Sequence, residues 1–182
     1  MTLRPRLAAG LALLAGLAVL YVILGRTVHA PPALASLTSE APHPAPSVAF
    51  ADASGRRHTL REFRGRFVLI NLWGTWCAPC ARELPALARL SQLLPPRRMA
   101  VIAVAVPPGD AESARAFLIA HDAKALAAYF DTRTEFLRAF RAYGLHITVL
   151  IDPRGNEIAR IVGAAKWDDP DAVAYLKAEF GT

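Results

Sequence analysis

Asn71-Leu72-Trp73-Gly74-Thr75-Trp76-Cys77-Ala78-Pro79-Cys80-Ala81-Arg82-Glu83-Leu84-Pro85 is the stretch that decides the fold. It joins a near-continuous apolar run over residues 67–73 to a segment with Leu84, Leu87, Leu90 and Leu94 at helical spacing. The first pattern predicts a strand buried on both faces, the second a helix with one apolar side, ended by Pro95-Pro96. The two cysteines therefore fall where a buried strand gives way to a helix, which is the setting that makes C-x-x-C a redox motif. Two intervening residues let the sulfurs meet across the first helical turn with little backbone movement. Unpaired N–H groups at the helix start favour a thiolate and lower the Cys77 pKa below the free-thiol value of about 8.5. Cys77 is then the attacking thiol, and Cys80, one turn inside, resolves the mixed disulfide. A four-ligand zinc site needs a second Cys or His pair, and the chain has no other cysteine. No metal is expected, and no cofactor beyond the Cys77–Cys80 disulfide itself.

Outward from this stretch, strand-like and helix-like runs alternate. Residues 48–50 and 57–59 form a short hairpin around the Ser54-Gly55 turn signal, and residues 99–106 form a second buried strand. Residues 111–121 and 134–143 read as helices, with a short strand over 127–130 between them. Residues 147–151 and 157–162 are strands joined through Asp152-Pro153-Arg154-Gly155, and residues 170–180 close the chain as a helix with Asp168 or Asp169 as N-cap. This order predicts an α/β domain over residues 47–182, with a mixed central sheet flanked by helices and a hairpin at its N-terminal side.

The first two dozen residues differ in kind. Residues 7–24 carry no charge and follow Arg4 and Arg6. At about 1.5 Å per residue they cover roughly 27 Å, close to a bilayer core of about 30 Å. Residues 1–25 are therefore expected to be a single-pass signal anchor. The arginine asymmetry places the N-terminus in the cytoplasm and the domain on the periplasmic or other extracytoplasmic side of the inner membrane. A cleaved signal peptide, with Ala33-Leu34-Ala35 as the small-residue site, is the competing reading. Residues 26–46, with five prolines, are expected to be an extended tether. The whole chain of 182 residues carries a net charge of +6. Its arginines are interleaved with apolar residues and turns and form no basic helix face, so no nucleic-acid partner is expected.

At the quoted stretch the sequence resembles the TlpA/ResA branch of the thioredoxin superfamily, membrane-anchored extracytoplasmic thiol–disulfide oxidoreductases that include cytochrome c maturation proteins. Leu60 to Gly65 and Leu150-Ile151-Asp152 with Gly155 share the resemblance. It implies a thioredoxin fold and reduction of client disulfides. The implied partners are apocytochrome c or a copper-site assembly protein as client and a membrane electron donor. Asn71 stands where thioredoxins carry a buried Asp, which removes the usual proton acceptor for Cys80. Glu83, one turn after Cys80, becomes the candidate acid/base, with a surface helix carboxylate or an ion pair to Arg82 or Arg89 as the plainer role. Trp76, Ala78, Pro79 and His146 are the candidate substrate-binding residues. His146 stands in the place of the proline whose cis bond shapes the client-docking loop, and the bond before it is expected to be trans. Two other functions remain open: a periplasmic disulfide oxidase, and a tethered copper- or metal-handling chaperone using Cys77, Cys80 and His146.

Overall fold

The computed structural model describes residues 29–181. Within these residues lie eight strands: β1 (Leu37–Pro44), β2 (Ala49–Asp52), β3 (Arg57–Thr59), β4 (Phe67–Trp73), β5 (Met99–Ala105), β6 (Ala128–Phe130), β7 (Ile147–Ile151) and β8 (Asn156–Val162). They form one mixed sheet in the order β1-β8-β7-β4-β5-β6-β2-β3. The helices are α1 (Ala78–Leu93), α2 (Ala111–Ala120), α3 (Phe136–Ala139) and α4 (Pro170–Phe180), with 3-10 turns at Pro32–Leu34 and Leu60–Phe63.

Strand β4 lies inside the sheet, parallel to β5 and antiparallel to β7. Because side chains alternate along a strand, Leu69 and Trp73 face one layer, and Val68, Ile70 and Leu72 the other. The first layer packs against Leu84, Leu87 and Leu90 of α1, Leu118 of α2 and Leu176 of α4. The second packs against Phe50, Phe63, Phe136 and Phe140. Each leucine buried in this way favours folding by roughly 1.5–3 kcal/mol, which explains why β4 is apolar almost throughout. Asn71 is the exception, and it is 2% exposed. Its side-chain N–H donates to Thr148 Oγ1 across the β4–β7 pair at 2.9 Å, which satisfies a polar group that would otherwise be costly to bury.

Two sequence expectations are corrected. The expected tether over residues 26–46 does not hold for residues 32–34 and 37–44, because Pro32–Leu34 and β1 belong to the fold. Leu34 is 1% exposed in the core, and β1 pairs with the outer edge of β8, from Leu37 opposite Ile161 to Pro44 opposite Asn156. Proline is tolerated on an edge strand, and the register shifts between Ser39 and His43, around Pro42. The helix expected over residues 134–143 shrinks to the single turn of α3. Asp131 takes the backbone N–H groups of Arg133, Glu135 and Phe136, and Thr134 and Arg141 adopt left-handed backbone at either side. The anchor expected over residues 1–25 lies outside the described residues. Among those described, no helix is long and apolar enough to cross a membrane.

Candidate active site

The chain leaves β4 at Trp73, turns through Gly74-Thr75-Trp76, and enters α1 with Cys77 as its N-cap. Cys77 and Cys80 form a disulfide, with Cα atoms 5.2 Å apart. The Cys80 N–H donates to Cys77 Sγ at 3.3 Å, a helix-terminal donor of the kind that favours a thiolate. Cys77 is 8% exposed and Cys80 2%, so Cys77 is the more accessible sulfur of the pair.

The rim around the pair is exposed. Ala78 and Pro79 are open to solvent, and Trp76 is 55% exposed. The indole folds back over Gly74. A Cβ added at Gly74 would lie 2.9 Å from Trp76 Nε1 and 3.0 Å from Leu145 Cδ1. The loop before β7 thus closes on the turn before the cysteines, and Tyr143, two residues before Leu145, is fully exposed.

Beneath the rim, Glu83 follows Cys80 by one turn on the buried side of α1 and is 7% exposed. Its Oε1 accepts the Ala165 N–H at 3.0 Å and the Trp167 indole N–H at 2.5 Å. Its Oε2 lies 3.0 Å from His146 Nε2. Nε2 has no other partner among the described residues. Burial raises the Glu83 pKa, and the Ala165 N–H, the His146 charge and the Trp167 N–H pull it back only in part. The plainer ion-pair role for Glu83 is not what the structure holds, since Arg89 pairs with Asp168 at 2.7 Å.

Asn71 shares the layer of Leu69 and Trp73 on the cysteine side of β4 but is an amide engaged with Thr148, so it has no proton to trade. Of the other buried carboxylates, Asp131 is occupied by backbone N–H groups and Glu157 by Arg160. Among the described residues, Glu83 is thus the buried acid that lies one helical turn from Cys80. His146 has φ +71, and the peptide bond before it is trans. Its carbonyl accepts the Gly163 N–H at 2.8 Å, so this position is tied to the end of β8. Sequence reasoning missed Trp167, Ala165 and Thr148. Each reaches the site from far along the chain, and no spacing rule links them to Cys80.

The Redoxin family matches residues 40–176 of the chain. The chain is 30% identical over 125 residues to the thiol-disulfide oxidoreductase ResA of Geobacillus thermodenitrificans, covering 69% of this chain and 71% of that protein. With ResA of Bacillus subtilis the identity is 29% over 119 residues, or 65% of each chain. Among solved structures, a thiol:disulfide interchange protein DsbE from Chlorobium tepidum superposes with a TM-score of 0.66 at 23% identity, covering 78% of this chain and 98% of the other. The thioredoxin domain of a thiol-disulfide oxidoreductase from Bacteroides vulgatus superposes at 0.64 and 19% identity, covering 77% and 98%. The structural matches show a shared thioredoxin-like fold.

Proposed function

Because the chain belongs to the Redoxin family, among its ResA-like thiol–disulfide oxidoreductases, we propose that it reduces disulfides of exported client proteins, held at the inner membrane by residues 1–25. The observation that carries the exchange chemistry is the Cys77–Cys80 disulfide at the N-terminus of α1. In the reduced protein the Cys77 thiolate attacks one sulfur of a client disulfide. A mixed disulfide forms and one client thiolate leaves. Cys80 then gives its proton to Glu83 and attacks Cys77, which restores the Cys77–Cys80 bond and releases the second client thiolate. The client gains two electrons and the pair loses two, which a membrane electron donor returns.

Export is supported by the charge-free run over residues 7–24 and by chemistry that requires disulfide-containing clients. Clients of the apocytochrome c or copper-site assembly type fit the exposed Trp76 rim, which suits an extended cysteine-bearing segment. A reduction potential near that of thioredoxin, about −270 mV, fits the reductase direction, and a value far above it fits an oxidase. The metal-chaperone reading is weaker, because His146 Nε2 faces Glu83.

Cys80→Ser in the full-length chain should arrest the reaction at the mixed disulfide. Mass spectrometry of the trapped adduct should identify an exported protein with a cysteine pair. Adducts confined to cytoplasmic proteins would overturn the export reading.

A further inference from the structure

The His146 ring spans from the buried carboxylate to water. Nε2 is enclosed and faces Glu83 Oε2 at 3.0 Å, whereas Nδ1 makes no hydrogen bond and is not enclosed. Glu83 has no such outlet of its own. Its side chain is 5% exposed against 17% for His146, and Oε1 is held by the Trp167 and Ala165 donors. Among the described residues, a proton that reaches Glu83 from Cys80 therefore has one titratable side chain through which to leave. We propose that His146 is a positioning residue for proton transfer, passing the Glu83 proton between the carboxyl and solvent during each exchange cycle.

The steps balance without another reactant. Cys80–SH and the Glu83 carboxylate give the Cys80 thiolate and the protonated carboxyl. Glu83 passes that proton to His146 Nε2, and Nδ1 releases one to water. The electrons stay with the sulfurs. The reverse order delivers a proton when the Cys77–Cys80 bond is reduced. Among the described residues, no other charged side chain faces Glu83 closely. Arg82 on α1 and Lys166 on the segment after β8 lie towards solvent, and Arg89 and Asp168 pair with each other. The backbone fits the role as well. At φ +71 the residue takes a left-handed conformation, which holds the ring over α1 and which glycine or asparagine can adopt without distortion.

The proposal rests on Glu83 acting as the acid/base, and the test separates the two. With the full chain and a model disulfide, the rate of mixed-disulfide resolution is followed against pH for the wild type, His146→Gly, His146→Asn and Glu83→Gln. Both His146 variants should slow resolution about tenfold or more, in the range of lost acid–base assistance. Free imidazole should restore the His146→Gly rate in a concentration-dependent way, which a merely structural loss does not do. Wild-type rates and pH profiles in both His146 variants would overturn the relay, as would a slowed His146→Gly that imidazole leaves unchanged. If Glu83→Gln itself resolves at the wild-type rate, the acid/base reading falls and the relay falls with it. A slow Glu83→Gln beside unaffected His146 variants removes the relay alone.

Discussion

Among the described histidines that stand against carboxylates, His58 and His146 are built differently. His58, between the β2–β3 hairpin and the Leu60–Phe63 turn, has both nitrogens occupied: Nε2 lies 2.8 Å from Asp52 Oδ2 and Nδ1 2.8 Å from Glu62 Oε2. Its ring also stacks on Phe50 and meets Tyr129 edge-on. His146 has one nitrogen at Glu83 and the other free for water. A ring closed at both ends can only hold structure together, whereas a ring open at one end can move a proton. The contrast lies in the second nitrogen.

The largest effect expected from breaking this contrast is at Glu83. Glu83→Gln keeps an acceptor for Ala165 and Trp167 but takes no proton, so resolution by Cys80 should slow on the order of 100-fold, while Tm changes little. Stopped-flow measurement of the mixed disulfide checks it, and a large loss of Tm with an unchanged rate would make Glu83 a packing residue.

At His58 the expected effects are reversed. His58→Gln should lower Tm and leave exchange untouched. The sign with pH follows from the shifts. The two carboxylates raise the His58 pKa, so its contribution is complete below its ordinary 6.5 and is lost as pH climbs through the higher folded value. The histidine lowers Asp52 and Glu62, so theirs is complete above their ordinary values of 3.8 and 4.5 and is lost on acidification. The Tm gap between wild type and His58→Gln should therefore be widest between pH 4.5 and 6.5 and narrow on either side. A pH-independent gap would show that ring stacking, and not charge, holds this region.

A smaller change is expected at Trp167, which is 1% exposed and whose replacement by phenylalanine removes both the donor to Glu83 and part of the buried ring. Trp167→Phe should cost about 1–3 kcal/mol in chemical denaturation, since a buried acceptor loses a partner. It should also push the Glu83 pKa further up, moving the acid limb of the rate profile towards neutral pH. An unmoved profile would mean that Trp167 acts through packing alone.

Much of this was legible in the sequence where one physical pattern decides an element. The apolar run of β4, the leucine spacing of α1 and the Asp152–Gly155 turn each determine local structure without help from distant residues. The sulfur pair was legible for the same reason, because strand, turn and helix are contiguous. Strand β1 was not, since five prolines among small residues read as tether and its partner Ile161 lies far along the chain. The shortness of α3 was hidden because one carboxylate, Asp131, takes three backbone donors, a local competition that periodicity does not register. His146 is legible in the sequence as standing where the family resemblance implies a proline. Its pairing with Glu83 is not, because α1 and the loop before β7 meet only once the sheet has formed.

The central claim is that Cys77 attacks and Cys80 resolves. The most direct test is to mix reduced Cys77→Ser and Cys80→Ser proteins separately with a model disulfide and to quantify the protein-bound adduct by mass. The account predicts a persistent adduct with Cys80→Ser, bound through Cys77, and essentially none with Cys77→Ser. Equal adducts in both variants, or a dominant one through Cys80, would contradict it.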